Sequence, residues 1–141
     1  MNGPIKVPPA NPISYADTLE IYIAWCHSED NNPRHWILML DEPATDLSTW
    51  FHVTGGPAHD SEYEIKIETD KPLKSSGWAH TEYLWFIPAR EVNTVKAMAE
   101  SIPLQYGQTW IVELLAKMET KGFIPVGTKV CYEAQVEEVP E

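Results

Sequence analysis

The period of the hydrophobic pattern changes once along this chain, and that change constrains the fold more than any other feature. From Leu19 to Ile87 the apolar residues form short runs or alternate with polar ones, which is typical of β-strands. From Pro88 to Lys121 they recur at three- and four-residue spacing, which is typical of helices packed on one side. A run of strands followed by a run of helices predicts an α+β fold.

Turn residues divide the first part of the chain into separate strands. We expect five strands, over residues 19–27, 34–41, 49–54, 62–69 and 81–87. A helix is expected to begin at Pro88 and end before Pro103, and a second helix to cover 108–121, where Lys121 and Gly122 provide a C-terminal stop. Residues 129–136 are interpreted as a last strand. The prediction is therefore an antiparallel sheet of about five to six strands packed against two helices.

A chain of 141 residues is long enough for one core and short for two. Residues 1–16 contain Pro4, Pro8, Pro9 and Pro12, so an irregular N-terminal arm is expected there. Residues 17–136 are predicted to form the single domain. Residues 137–141 are interpreted as an acidic tail in solvent.

The charge balance narrows the possible partners. Twenty-one acidic residues against ten basic ones give a formal charge of −11, which argues against nucleic acid as a ligand. No run of 18 apolar residues is present, so no membrane insertion is expected. No signal peptide is expected, and the two cysteines, Cys26 and Cys131, are too few for a disulfide framework. A cytoplasmic protein with two buried, reduced thiols is the expectation, and the oligomeric state stays open.

Two histidines within strands are the candidates for proton chemistry. His35 lies in R-H-W-I-L and His52 in W-F-H-V-T, and neighbouring antiparallel strands can bring two such rings onto one face. Imidazole is the side chain best suited to move protons near neutral pH, although a histidine in such a setting is also an ordinary structural residue. No standard phosphate-binding, zinc or serine-hydrolase motif is present. We therefore expect no cofactor and no metal, with His27, His59 and His80 at the surface.

Two segments carry a resemblance to a known family. The segment R-H-W-I-L-M-L-D…T-W-F-H-V-T-G-G-P, at residues 34–57, resembles the strands that carry two histidines in the lecithin–retinol acyltransferase branch of the permuted papain-like (NlpC-type) superfamily. The segment Y-G-Q-T-W-I-V-E-L-L, at 106–115, resembles the helix of that branch that begins N-C-E-H-F-V-T-E-L. The resemblance implies a circularly permuted papain-like fold.

The nucleophilic cysteine of that family corresponds here to Gly107, which has no side chain and cannot form an acyl-enzyme. The helix N-terminus remains, and its unpaired N–H groups can bind a carbonyl oxygen or an anion. The resemblance implies catalytic roles for His35, His52 and Gln108. Five residues are candidates for an apolar ligand-binding cleft at the same place: Trp36, Trp50, Tyr106, Gly107 and Trp110.

Three functions are compatible with these residues. The first is a non-covalent acid/base enzyme that isomerises, cyclises or eliminates from a small apolar or aromatic metabolite, as in secondary metabolism, with His35 as base. The second is a pseudoenzyme that binds a ligand or a protein partner in the old cleft. The third is a thiol hydrolase or acyltransferase that uses Cys26, although the aromatic setting A-W-C-H favours an inert structural thiol.

Overall fold

The fold is α+β and its sheet is antiparallel, as the sequence predicts. A computed structural model describes residues 17–27, 33–72 and 78–138, so the N-terminal arm proposed for 1–16 lies outside the described residues. Every neighbouring pair of strands is antiparallel, and the order across the sheet is β4-β3-β2-β1-β5. The five strands are β1 (Thr18–Cys26), β2 (Trp36–Glu42), β3 (Leu47–Gly56), β4 (Ser61–Pro72) and β5 (Trp78–Pro88). The chain is thus α+β with a five-stranded antiparallel sheet.

Three helices follow the strands, namely α1 (Val92–Glu100), α2 (Gly107–Lys121) and α3 (Thr128–Glu133). Short 3₁₀ turns at Pro57–His59 and Ala89–Glu91 precede β4 and α1. Gly122 ends α2 in a left-handed conformation, with φ at 84°, as the Lys121-Gly122 signal predicts. Among the described residues, no helix is both long and apolar enough to cross a membrane.

The strand predicted for 129–136 is wrong, because this segment contains α3. Tyr132 is the one buried side chain of α3, and partly buried Val136 follows it four residues later, which is helical spacing. The Tyr132 ring packs edge-on against Trp25 and Trp36, so tertiary contacts hold a helix too short to be stable alone. Cys131 is exposed on α3, contrary to the expectation of a buried thiol.

The main core lies between the helices and one face of the sheet. The apolar stripe predicted on α2 is fully buried there and consists of Trp110, Ile111, Leu114, Leu115 and Met118. Alternate strand residues meet it, among them Ile21, Leu38 and Phe51. This packing fixes the sheet relative to α2, and with it the start of that helix.

The opposite side of the sheet, which we call the outer face, carries a second and smaller cluster. Ala24, Ile37 and Met39 are buried there beneath partly buried Tyr22, Cys26, Trp50 and Trp78. The rings of Trp50 and Trp78 lie 5.0 Å apart between centroids, although β3 and β5 are separated by two other strands. Both faces of the sheet are therefore buried in part, and the candidate site forms where the outer face meets the N-terminal end of α2.

Candidate functional site

His35 and His52 are brought into direct contact on the outer face. Trp36 and Phe51 point into the main core, so the alternation of a strand turns the preceding His35 and the following His52 to the other side. Nε2 of His35 lies 2.7 Å from Nδ1 of His52. The pairing that the sequence predicts for these two histidines is present in the structure.

A third residue, Glu68 on β4, extends this pair. Its Oε1 lies 2.9 Å from Nε2 of His52. The residue just before β2 and one residue each of β3 and β4 therefore contribute side chains to a continuous chain of hydrogen bonds. Sequence reasoning missed Glu68, because it is one of several charged residues that alternate along β4. The register identifies it: Trp50 is paired with Glu68, so Glu68 shares the face of Trp50 and His52.

The hydrogen bonds fix which ring nitrogens carry protons. A carboxylate only accepts, so His52 donates from Nε2 to Glu68 and, when neutral, has a lone pair at Nδ1. His35 then donates from Nε2 to that lone pair, which leaves its own lone pair at Nδ1. The chain Glu68–His52–His35 therefore presents one basic nitrogen, His35 Nδ1, at its free end.

Burial keeps both rings neutral at physiological pH. The pKa of His35 is lowered to about 4, first by burial and then by the nearby imidazoles of His52 and His59. Burial also lowers the pKa of His52, against the opposing effect of its hydrogen bond to Glu68, and that same bond lowers the pKa of Glu68. The three groups thus stand as carboxylate, neutral imidazole and neutral imidazole, which is the state needed to accept a proton.

His35 faces an open cavity of about 870 Å³. The cavity runs from His35 across the turn between β3 and β4 to Tyr106 and Gly107 at the start of α2. His52 lies behind His35 and is 8% exposed. His35 and the helix N-terminus therefore line the same cavity.

Gly107 is the first residue of α2, and its close packing favours a glycine. A Cβ atom placed there would lie 3.1 Å from the carbonyl oxygen of Val53, which is tighter than ordinary contact. The first hydrogen bond of the helix joins the Trp110 N–H to the Tyr106 carbonyl, so the N–H groups of the first turn before Trp110 have no partner within the helix. These groups provide partial positive charge at this end of the cavity.

Gln108 does not line the cavity but ties three segments together. Its buried amide donates to the Arg34 carbonyl at 2.7 Å and to the Glu137 carboxylate at 2.9 Å, and it accepts from the Glu137 backbone N–H at 2.7 Å. The Arg34 N–H also donates to Glu137. Arg34 and Gln108 directly adjoin His35 and Gly107 in the chain, so this tie sets their relative position. Its hydrogen bonds give Gln108 a supporting position rather than the direct catalytic one that the resemblance implies.

The sequence does not indicate this role for Glu137. It falls in the segment interpreted as an acidic tail in solvent, yet its side chain is half-buried and hydrogen-bonded.

The tryptophans proposed as ligand contacts lie away from this cavity. Trp36 and Trp110 are 3% and 0% exposed within the main core. Trp50 belongs to the smaller cluster on the outer face, next to Trp78. The aromatic residues that do line the cavity are Tyr106, which was predicted, and Tyr63, which was not.

Cys26 also lines the cavity. Its backbone N–H donates to the His35 carbonyl at 2.9 Å, which makes the two residues direct partners across β1 and β2. Side chains of such partners share one face, and their Cβ atoms lie about 4.5–5.5 Å apart. His27 and His59 are exposed as expected and stand at the rim of the same cavity. Among residues 17–27, 33–72 and 78–138, no group of three or more His, Cys, Asp and Glu side chains is placed to hold a metal.

Fold and site together define a small α+β protein with a half-buried His–His–Glu chain that ends in an open cavity. Residues 21–125 match the model of DUF6540, a family of unknown function, and the chain belongs to that family. The matched region contains the three residues of the chain and Gly107, and it ends before Glu137. No curated protein and no solved structure matches this chain.

Proposed function

We propose that this protein is an enzyme that moves a proton on a small apolar or aromatic molecule without forming a covalent intermediate. The supporting observation is the Glu68–His52–His35 chain, which leaves a lone pair at Nδ1 of His35, a residue of the cavity wall. Isomerisation, cyclisation and elimination next to a carbonyl group all begin with such a proton transfer. A role in secondary metabolism would be compatible with this chemistry.

Each part of the site has one task in this mechanism. His35 Nδ1 takes a proton from carbon, and the positive charge that forms on the ring is stabilised through His52 by Glu68. The developing negative charge on the substrate oxygen is bound by the N–H groups at the start of α2. His35 then returns the proton to another atom, or a leaving group departs.

The proposal includes a permuted papain-like ancestry. The order of strands before helix and the shared cavity of His35 and Gly107 support it. The glycine at the start of α2 argues against a cysteine-based acyl transfer at that position.

A base can be tested before the natural substrate is known. 5-Nitrobenzisoxazole loses its C3 proton to a base as its N–O bond breaks, which gives a coloured cyanophenolate. We expect the protein to accelerate this ring opening and His35→Ala to lower the rate by about 10² or more. His80→Ala is the matched control, because His80 is exposed and bonded to Glu82 away from the cavity. Equal rates for the protein and His35→Ala would overturn the proposal, and the non-catalytic ligand-binding function would then be favoured.

The cross-strand position of Cys26 favours thiol chemistry as a second candidate. His35 stands opposite Cys26 in the same cavity and could take the thiol proton as the sulfur attacks an acyl group. Labelling with iodoacetamide at pH 7 tests this candidate, with the exposed Cys131 as internal reference. Faster labelling of Cys26 than of Cys131, lost in His35→Ala, would support it. Slow labelling that does not depend on His35 would exclude it.

A further inference from the structure

Among the described residues, the three most exposed Trp, Tyr and Phe side chains lie together on one strand. Tyr83, Trp85 and Phe86 of β5 are 49%, 45% and 44% exposed, and we call them the β5 aromatic patch. Tyr83 packs edge-on against Tyr22 with 5.6 Å between ring centroids, and the rings of Trp85 and Phe86 stack at 5.5 Å. Grouped aromatic rings in solvent are typical of a surface that binds another protein.

A bulge in β5 contributes to the exposure of Trp85. The strand has one extra residue, Leu84, between the partners of Ile21 and Tyr22. Leu84 packs against the main core, whereas the Trp85 ring stacks on the ring of Phe86. Bulges at sheet edges redirect side chains, so the backbone of β5 is shaped to present the Trp85 ring outward.

The patch lies on an edge of the sheet that is nearly free of charge. β5 pairs with β1, and no strand of the described residues covers its other side. The opposite edge, β4, alternates charged side chains such as Glu62, Glu64 and Lys66, which oppose the approach of another chain. The one acidic residue of β5, Glu82, already has Tyr132 and His80 as hydrogen-bond partners.

We infer that the β5 aromatic patch binds a second copy of this chain across a two-fold axis. Two chains of charge −11 meet least repulsion where their surfaces are nearly neutral, and residues 78–90 contain one acidic and one basic residue, Glu82 and Arg90. A two-fold axis reverses the direction of β5, which brings the exposed Arg90 of one copy toward Glu82 of the other. The same surface is therefore complementary to itself in both ring area and charge.

The exposed ring area sets the expected strength of this dimer. Each ring has about 200 Å² of surface, of which nearly half is exposed, so two patches in contact would bury on the order of 600 Å² of rings. Stable interfaces bury about 1,200–2,000 Å², and the dimer should therefore dissociate on dilution. The inference goes beyond the proposed function and does not depend on it, since no described residue of β5 lines the cavity.

Sedimentation velocity in 0.15 M salt, from about 5 µM to about 1 mM protein, measures the association. We expect the fraction of dimer to rise across this range. Trp85→Lys with Phe86→Lys should weaken association by about tenfold or more, because the interface would have to desolvate the added charges. Leu104→Lys with Val126→Lys adds the same charge at exposed apolar positions elsewhere and is the matched control, which should not weaken association.

A second variant tests the two-fold arrangement at an exposed position that the core does not need. Arg90→Glu should weaken association at least about fivefold, because it places like charges together at both ends of the contact. Lys117→Glu makes the same change in net charge at an exposed position on α2 and should change association little.

The inference fails if the chain is a monomer at every concentration, and a different protein would then be the expected partner of the patch. Equal weakening by Trp85→Lys with Phe86→Lys and by its matched control would also overturn it. So would equal weakening by Arg90→Glu and Lys117→Glu.

Discussion

The basicity of the His35 imidazole depends on residues of two other segments, His52 on β3 and Glu68 on β4. Its ring is half-buried, which lowers the pKa, and the carboxylate of Glu68 opposes that effect through space. The direction of the lone pair depends on His52 and Glu68 together. Removing the carboxylate should therefore change both the tautomer and the proton affinity of a ring it does not touch.

Glu68→Gln tests this dependence at the residue scale. Without the negative charge, we expect the pKa of His35 to fall further below its value of about 4 and the rate of proton abstraction to fall by about tenfold or more. Long-range ¹H–¹⁵N NMR spectra of the ring nitrogens measure the pKa and the tautomer directly. An unchanged spectrum of His35 would show that Glu68 does not act on it.

The neutral state of His35 also predicts how stability depends on pH. The ring ionises near 6.5 when unfolded but near 4 when folded, so between these values the unfolded chain binds more protons. Stability from this residue is complete above pH 6.5 and declines as the pH falls toward 4. Urea unfolding across this range should show the decline, and His35→Gln should reduce it. A decline of the same size in the variant would assign it to other groups.

Asp41 contributes a pH dependence of stability that is opposite to that of His35. It is 4% exposed and faces Glu20 across β1 and β2, and one of its carboxylate oxygens has no hydrogen-bond partner among the described residues. Burial, followed by the charges of Glu20, Asp46 and Glu42, raises its pKa to about 6. The charged form is therefore penalised in the folded protein above pH 6, and the penalty disappears as the pH falls.

Asp41→Asn should raise the free energy of unfolding by about 1 kcal/mol at pH 8. The gain should shrink at pH 5, because protonation already relieves the wild-type residue there. Glu100→Gln, which removes an exposed charge on α1, serves as the control and should change little. A gain that is constant between pH 5 and pH 8 would contradict the assignment to ionisation.

At the scale of elements, hydrogen bonds to Glu137, far along the chain, connect the segment before β2 with the first turn of α2. Gln108, Arg34 and Glu137 share four hydrogen bonds of 2.7 to 2.9 Å. Since Gln108 is 1% exposed, removing Glu137 leaves its amide without two of its partners. Unsatisfied buried amides cost about 1–3 kcal/mol, so this contact should matter for stability.

Two truncations measure that contribution. A chain that ends after Val136 should lose about 1–3 kcal/mol in urea unfolding and show shifted amide signals at His35 and Gly107. A chain that ends after Glu138 keeps the hydrogen bonds of Glu137 and should have the same free energy of unfolding and the same amide signals as the full chain. Equal stability of the two truncated chains would show that Glu137 does not hold these elements.

The elements themselves were mostly readable from the sequence, and the exceptions have physical causes. β4 and the α2 stripe follow from period, while β1 and β2 follow from short apolar runs, since residues on both of their faces are buried. The segment over 128–133 was misinterpreted because its single buried residue, Tyr132, gives no period to count. Glu68 and Glu137 were missed because register and long-range hydrogen bonds, rather than local pattern, select them from many similar acidic residues.

At the scale of the whole molecule, the site combines the outer face of the sheet with a helix that packs on the other face. This is possible because α2 begins at the end of the sheet, where Gly107 lies next to the Val53 carbonyl and lines the cavity with His35. A papain-like ancestor would have had a thiol at this point. Restoring that thiol therefore tests whether the arrangement of strands and helix has the proposed origin.

Gly107→Cys should create a thiol whose reactivity depends on His35. The added Cβ requires a shift of a few tenths of an ångström from Val53, so a small loss of stability is expected. In a Cys26→Ser, Cys131→Ser background, iodoacetamide at pH 7 should label Cys at 107 about tenfold faster than when His35 is also replaced by Ala. The reason is that the helix N-terminus and a proton on His35 both stabilise the thiolate, and the thiolate in turn raises the pKa of that imidazole. Labelling at the same rate with and without His35 would show that the base and the helix start do not cooperate, and the proposed ancestry would lose its geometric support.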